Sequence, residues 1–150
     1  MSDENAKQPE HLKPMVHTSP NSCFGCGAAN PSGLHLEFSL CDDKSVVSLL
    51  TVPANFEGPV SFVHGGIIAT ILDEAMSKSI RAHGITSLTR QMEVEYLRPV
   101  YSGTPIRVEG RMVRNEERKY WAEARILNAR GAHLATGKGL FIEVQPRKTT

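Results

Sequence analysis

Residues 64–83 read HGGIIATILDEAMSKSIRAH, and this stretch constrains the chain more than any other. Two glycines open it. Ile67, Ile68, Ile71, Leu72, Ala75, Met76 and Ile80 then follow on nearly every side of a helical turn. A helix that is apolar around most of its circumference is a buried helix. Asp73, Glu74, Lys78 and Arg81 interrupt the run too often for a membrane span. The stretch reads as one long helix through the middle of a soluble domain, with something wrapped around it.

What wraps it is written in the flanking periodicity. Leu34, Leu36, Phe38 and Leu40 alternate with polar residues, and SVVSLLTV at 45–52 follows after Asp42-Asp43-Lys44, giving a hairpin. Beyond Gly84, strands are expected over 89–100, 106–113, 120–127 and 133–144, separated by polar or glycine-containing turns. In the first of these, Met92, Val94 and Tyr96 share one face. Gly137 and Gly139 inside the last strand mark a bulge or a close approach. The order is β-β-α-β-β-β-β, and the four strands after the helix are expected to form an antiparallel meander. A single apolar helix is buried when such a sheet curls around it, so the fold class is α+β.

With 150 residues the chain can build one domain with a substantial core. We expect an arm at 1–18, the domain at 19–145 and a tail at 146–150. The net charge of +1 gives no basis for nucleic-acid or membrane binding. The polar start, MSDENAKQPEHLKPM, is not a signal peptide, and three cysteines fit a reducing compartment. The expected location is the cytoplasm.

Several residues near the helix start could carry chemistry. The first N–H groups of a helix lack internal partners and form the positive end of its dipole. Gly65 and Gly66 would let a ligand approach them, as in an oxyanion hole, or would only allow a tight entry from the preceding loop. His64 reads as a helix-entry hydrogen-bonding residue. Asp73 and Glu74 point about 100° apart, so they cannot act as a carboxylate pair. Glu74 has Lys78 four residues on and reads as a salt bridge. Asp73 has no such partner; it is either hydrogen-bonded to a loop or a general base or nucleophile. Cys23 and Cys26, in CFGCG, form a C-x-x-C in a turn-rich loop. A structural loop, a metal half-site and redox thiols are all open there. His17, His35 and Cys41 could complete a ligand set only at poor spacing, so no metal is expected.

Three segments together, CFGCG…NPSGL, HGGIIATILDEA and TRQMEVEYLRP, give the chain a resemblance to hotdog-fold thioesterases, in particular the PaaI-like and THEM4-like acyl-CoA thioesterases. The resemblance runs from Cys23 to Val144. It implies an antiparallel sheet wrapped around one long central helix, assembled as a homodimer or homotetramer with active sites between subunits. It implies Asp73, nine residues after the motif histidine, as catalytic carboxylate. Gly66, with Gly65, would supply the N–H that polarises the thioester carbonyl, and His64 would orient the site. Thr89 would orient water or Asp73, or simply start a strand. Arg118 and Lys119 would contact the phosphates of coenzyme A, or form a solvated turn. Gly58 stands where some relatives carry an asparagine or glutamine.

The reaction so implied is hydrolysis of an acyl-CoA to free acid and CoA, with no cofactor beyond the CoA of the substrate. A hotdog dehydratase would need a differently spaced histidine and acid. A non-catalytic binder of acyl thioesters would have no use for Asp73.

Overall fold

The structure is a computed structural model that describes residues 12–17 and 21–147. Its elements are β1 (Lys13–Pro14), β2 (Ser39–Leu40), β3 (Val46–Thr51), a 3₁₀ turn (Ala54–Phe56), α1 (Gly65–Arg81), β4 (Ser87–Tyr96), β5 (Pro105–Glu116), β6 (Lys119–Leu127) and β7 (His133–Glu143). The strands form one seven-stranded antiparallel sheet in the order β1-β2-β3-β5-β6-β7-β4, and α1 lies across one face of it. This is the hotdog arrangement. No helix among the described residues is long and apolar enough to cross a membrane.

Burial explains the arrangement. Ile71, Leu72, Ala75, Met76 and Ile80 of α1 are inaccessible to solvent, as are Val108, Ile126, Ala135 and Phe141 of the sheet. Each large apolar side chain so buried contributes about 1.5–3 kcal/mol, so this one helix stripe organises the core. Close approach is what Gly137 and Gly139 provide. A Cβ at Gly137 would lie 3.3 Å from the Leu72 Cβ, and one at Gly139 would lie 2.7 Å from the Phe141 ring. The helix ends where Gly84 turns the chain at φ +81°, with Lys78 and Arg81 in the last turn complementing the dipole.

The strand order corrects the expected meander. Of the four strands after the helix, only β5, β6 and β7 lie side by side in chain order; β4 pairs with β7 at the far edge, and β5 pairs back to β3. The helix crosses the sheet from the β3 side, so the strand after it lands on the opposite edge. Other differences are smaller. Residues 34–38 keep the expected alternation, with Leu36 and Phe38 buried, but only Ser39–Leu40 is strand. Leu34 and Leu36 donate instead to the carbonyls of Phe24 and Gly25. The β5–β6 strands run on through the expected polar turn, which tightens around Glu117 at φ +54°. Of the expected arm, Lys13–Pro14 is docked as β1 beside β2. Residues 1–11 and 18 of that arm, 19–20 of the expected domain and 148–150 of the tail lie outside the described residues.

Candidate active site

His64 is the N-cap of α1, and its Nδ1 accepts a 2.9 Å hydrogen bond from the Gly66 N–H. The backbone N–H groups of Ile67 and Ile68 both reach the His64 carbonyl. The His64 N–H donates to the Phe56 carbonyl, so of the four N–H groups that a helix start leaves open those of His64, Gly66 and Ile67 are engaged, while Ile68 makes the first regular helical bond. The fourth, at Gly65, has no partner among the described residues. The donor available to a ligand is therefore the Gly65 N–H, while that of Gly66 serves the cap. Tyr96 fixes this turn from the sheet, its hydroxyl donating to the Gly65 carbonyl at 2.8 Å. Gly58 lies directly against the cap, its notional Cβ 3.4 Å from the His64 Cα, and brings no polar side chain there.

Asp73 lies two turns further along, half-buried. Thr89 on β4 donates to its Oδ1 at 2.5 Å. Burial raises the Asp73 carboxyl above the usual carboxylate range; the Thr89 bond pulls it down and the neighbouring Glu74 charge pushes it up. Thr89 reaches Asp73 because of a bulge. Along β4, Met92 and Val94 pack inward and Tyr96 touches the helix start, so strict alternation would aim Arg90 inward and Thr89 outward. The register instead jumps between Thr89 and Gln91, with Arg90 unpaired. One extra residue reverses the facing of everything before it, and Thr89 turns toward the helix.

The two halves of this chemistry are far apart within one chain. Gly65 and Asp73 are eight residues apart on a straight helix, about 12 Å along its axis. No single carbonyl can touch both. Along β4 the same separation recurs, with Tyr96 beside Gly65 at one end and Thr89 beside Asp73 at the other.

Glu74 corrects the expected pair with Lys78, since no such ion pair forms. Its carboxylate faces the C-x-x-C loop and accepts from the Cys23 thiol at 3.4 Å. Arg118 sits in the β5–β6 turn and donates to the Glu143 carbonyl at 2.8 Å. Thr89 pairs with Phe141 and Phe141 with Tyr120, so Lys119 sits at the Thr89 end of the sheet, two strands over, about 10 Å laterally. Tyr120 is buried inward, which puts Lys119 on the outer face. Sequence reasoning missed Tyr96 as a support of the helix start and Glu74 as the partner of the cysteine loop. Tyr96 could have been found, since it shares its face with Met92 and Val94. Glu74 could not, because the loop is some fifty residues away in sequence.

Residues 61–134 match the family model described as "Thioesterase superfamily". Among curated proteins the chain is similar to "Acyl-coenzyme A thioesterase THEM4" of Mus musculus, 29% identical over 107 residues, covering 71% of this chain and 46% of the mouse protein. The Rattus norvegicus protein of the same name is 28% identical over 120 residues, covering 77% of this chain and 52% of that one. The chain thus spans about half the length of the curated relatives it matches. Among solved structures, a thioesterase superfamily protein superposes with a TM-score of 0.72 at 26% identity, over 75% of this chain and 56% of the other. A Bacillus halodurans protein solved with CoA gives 0.67 at 26% identity, over 76% and 77%. The E. coli PaaI protein, from the phenylacetic acid degradation operon, gives 0.69 at 18% identity, over 75% and 81%, a likeness of fold alone.

Proposed function

We propose that this chain, whose residues 61–134 match the thioesterase superfamily model, hydrolyses an acyl-CoA thioester to the free acid and CoA. The observation that carries the reading is Asp73: a half-buried carboxylate aimed by Thr89 and held above the usual carboxylate range. Such a group suits a base that takes a proton from water as the water attacks the thioester carbon, or a nucleophile that attacks it directly. The carbonyl oxygen gains charge as the tetrahedral intermediate forms. The Gly65 N–H, backed by the dipole of α1, is the donor placed to receive it, and His64 and Tyr96 hold its turn in place. The likeness to a protein solved with CoA supports the substrate class, and Arg118 and Lys119 are the proposed contacts for its phosphates.

The proposed unit of activity is a homodimer or a pair of such dimers, with each site between subunits. Support comes from the 12 Å gap between Gly65 and Asp73 and from the free edge of β4, where Leu88, Tyr96 and Leu97 are each about half exposed or more. A two-fold axis between Met92 and Glu93 would set the Thr89 end of one β4 beside the Tyr96 end of the other. Asp73 would then face Gly65 of the partner subunit. The proposed setting is the cytoplasm, supported by a count of three cysteines, an odd number that fits a reducing compartment.

The test is release of free CoA from a panel of short, long and aromatic acyl-CoAs, wild type against Asp73→Asn. Turnover of at least one substrate, lost in the variant, supports the reading. No turnover, together with an acyl-CoA that raises the Tm, would replace it with a non-catalytic binder.

A further inference from the structure

CFGCG folds as a tight loop pressed onto the side of α1. The Asn21 side chain accepts the Cys23 N–H at 3.1 Å, and the Gly27 N–H returns to the Cys23 carbonyl at 2.8 Å. Gly25 lies so close to the helix that a Cβ there would stand 2.3 Å from the Cγ of Glu74. The outcome is a convergence: the sulfurs of Cys23 and Cys26 and a carboxylate oxygen of Glu74 all lie within 4.8 Å of one another. Cys23 Sγ and Glu74 Oε1 are 3.4 Å apart. Around tetrahedral zinc, a sulfur and an oxygen ligand are about 3.6 Å apart and two sulfurs about 3.8 Å.

We propose that Cys23, Cys26 and Glu74 bind a zinc ion, with water in the fourth position on the half-exposed side of Cys23 and Glu74. The proposal stands on the loop and the helix, not on the thioesterase reading. Binding releases the two thiol protons to solvent, leaving thiolates as ligands. Bound zinc would pin residues 21–36 to the helix turn that also carries Asp73, by a bond between the loop and Glu74 instead of one thiol hydrogen bond.

The experiment uses the full chain purified under thiol reductant. Zinc is measured by elemental analysis, and the metal-free protein is titrated with cobalt chloride. We expect one zinc per chain, a thiolate-to-cobalt charge-transfer band and the intense visible bands of tetrahedral cobalt. Cys23→Ser and Cys26→Ser should lose the charge-transfer intensity, and Cys41→Ser should keep it. Glu74→Gln should keep the band but weaken zinc by more than the roughly 10- to 100-fold that loss of an outer-shell partner costs. Wild-type protein without stoichiometric zinc and without the cobalt band overturns the proposal, and that measurement needs no variant to fold. Unchanged zinc affinity in Glu74→Gln also overturns it. Neither outcome bears on CoA release, so this inference and the proposed activity stand or fall separately.

Discussion

The Thr89 hydroxyl and the Asp73 carboxylate meet at 2.5 Å, joining the outermost strand of the sheet to the helix beneath it. The bond lowers the Asp73 carboxyl against the rise that burial imposes, so it sets how acidic the site can become before Asp73 is protonated. Thr89→Val removes it and nearly keeps the shape. The acid limb of the pH dependence of kcat/KM should move to higher pH, while Thr89→Ser restores it. An unmoved limb in Thr89→Val would mean that Asp73 is not the titrating base.

Asp73→Asn separates function from stability. Loss of the base should lower kcat/KM by 10²-fold or more, about 2.7 kcal/mol. Stability should change the other way. The folded carboxyl is held above its unfolded value, so the unfolded chain ionises first as pH rises. Folded stability falls across that interval, and the penalty persists at neutral pH. Asn avoids it and can still accept from Thr89. The variant should have a higher Tm than wild type near neutrality, and the difference should vanish in acid, where both carboxyl states are protonated. Thermal unfolding at the two pH values checks this.

Gly65→Pro deletes one atom of interest, the N–H hydrogen. Proline is favoured at the first helical position, and His64, at φ −58° and ψ 137°, already has the conformation a preceding residue needs. A side chain there meets the Tyr96 ring at an ordinary 3.6 Å. The fold should survive with its Tm unreduced, while kcat falls by an amount equivalent to about 2.7–4 kcal/mol of lost oxyanion stabilisation. Full activity in Gly65→Pro would move the role elsewhere in the site.

Mixing the two defects tests the shared site. Asp73→Asn and Gly65→Pro are each expected to be inactive alone. Co-refolded, they should form mixed dimers in which one of the two sites has an intact Asp73 and an intact Gly65. Activity that appears only on mixing shows that a site draws on two chains. No gain, with mixed dimers confirmed by mass, would place the whole site within one subunit.

The sequence carried the fold further than the site. The buried stripe Ile71, Leu72, Ala75, Met76 and Ile80 declared the helix, and the period of two declared the strands, because both follow from local spacing. The position of β4 at the far edge did not, since it depends on where the helix delivers the chain. The motif placed Asp73 and the glycines correctly on one helix. Which glycine keeps a free N–H was hidden, because that depends on the rotamer with which His64 caps Gly66. Glu74 was misread for the same kind of reason: the helical neighbour Lys78 is visible in the sequence, and the loop that reaches the carboxylate is not.

The bulge at Arg90 makes the active side of β4 a matter of counting. Removing Arg90 would delete no catalytic group and no core side chain. It would close the strand into unbroken alternation with Thr89 next to Gln91, still opposite Phe141 and still facing Asp73. Flattening the bulge with Arg90 kept in the strand is what would turn Thr89 out to solvent. In aligning or redesigning chains of this shape, a one-residue gap at position 90 is therefore compatible with the Thr89–Asp73 bond, whereas straightening the strand at full length is not.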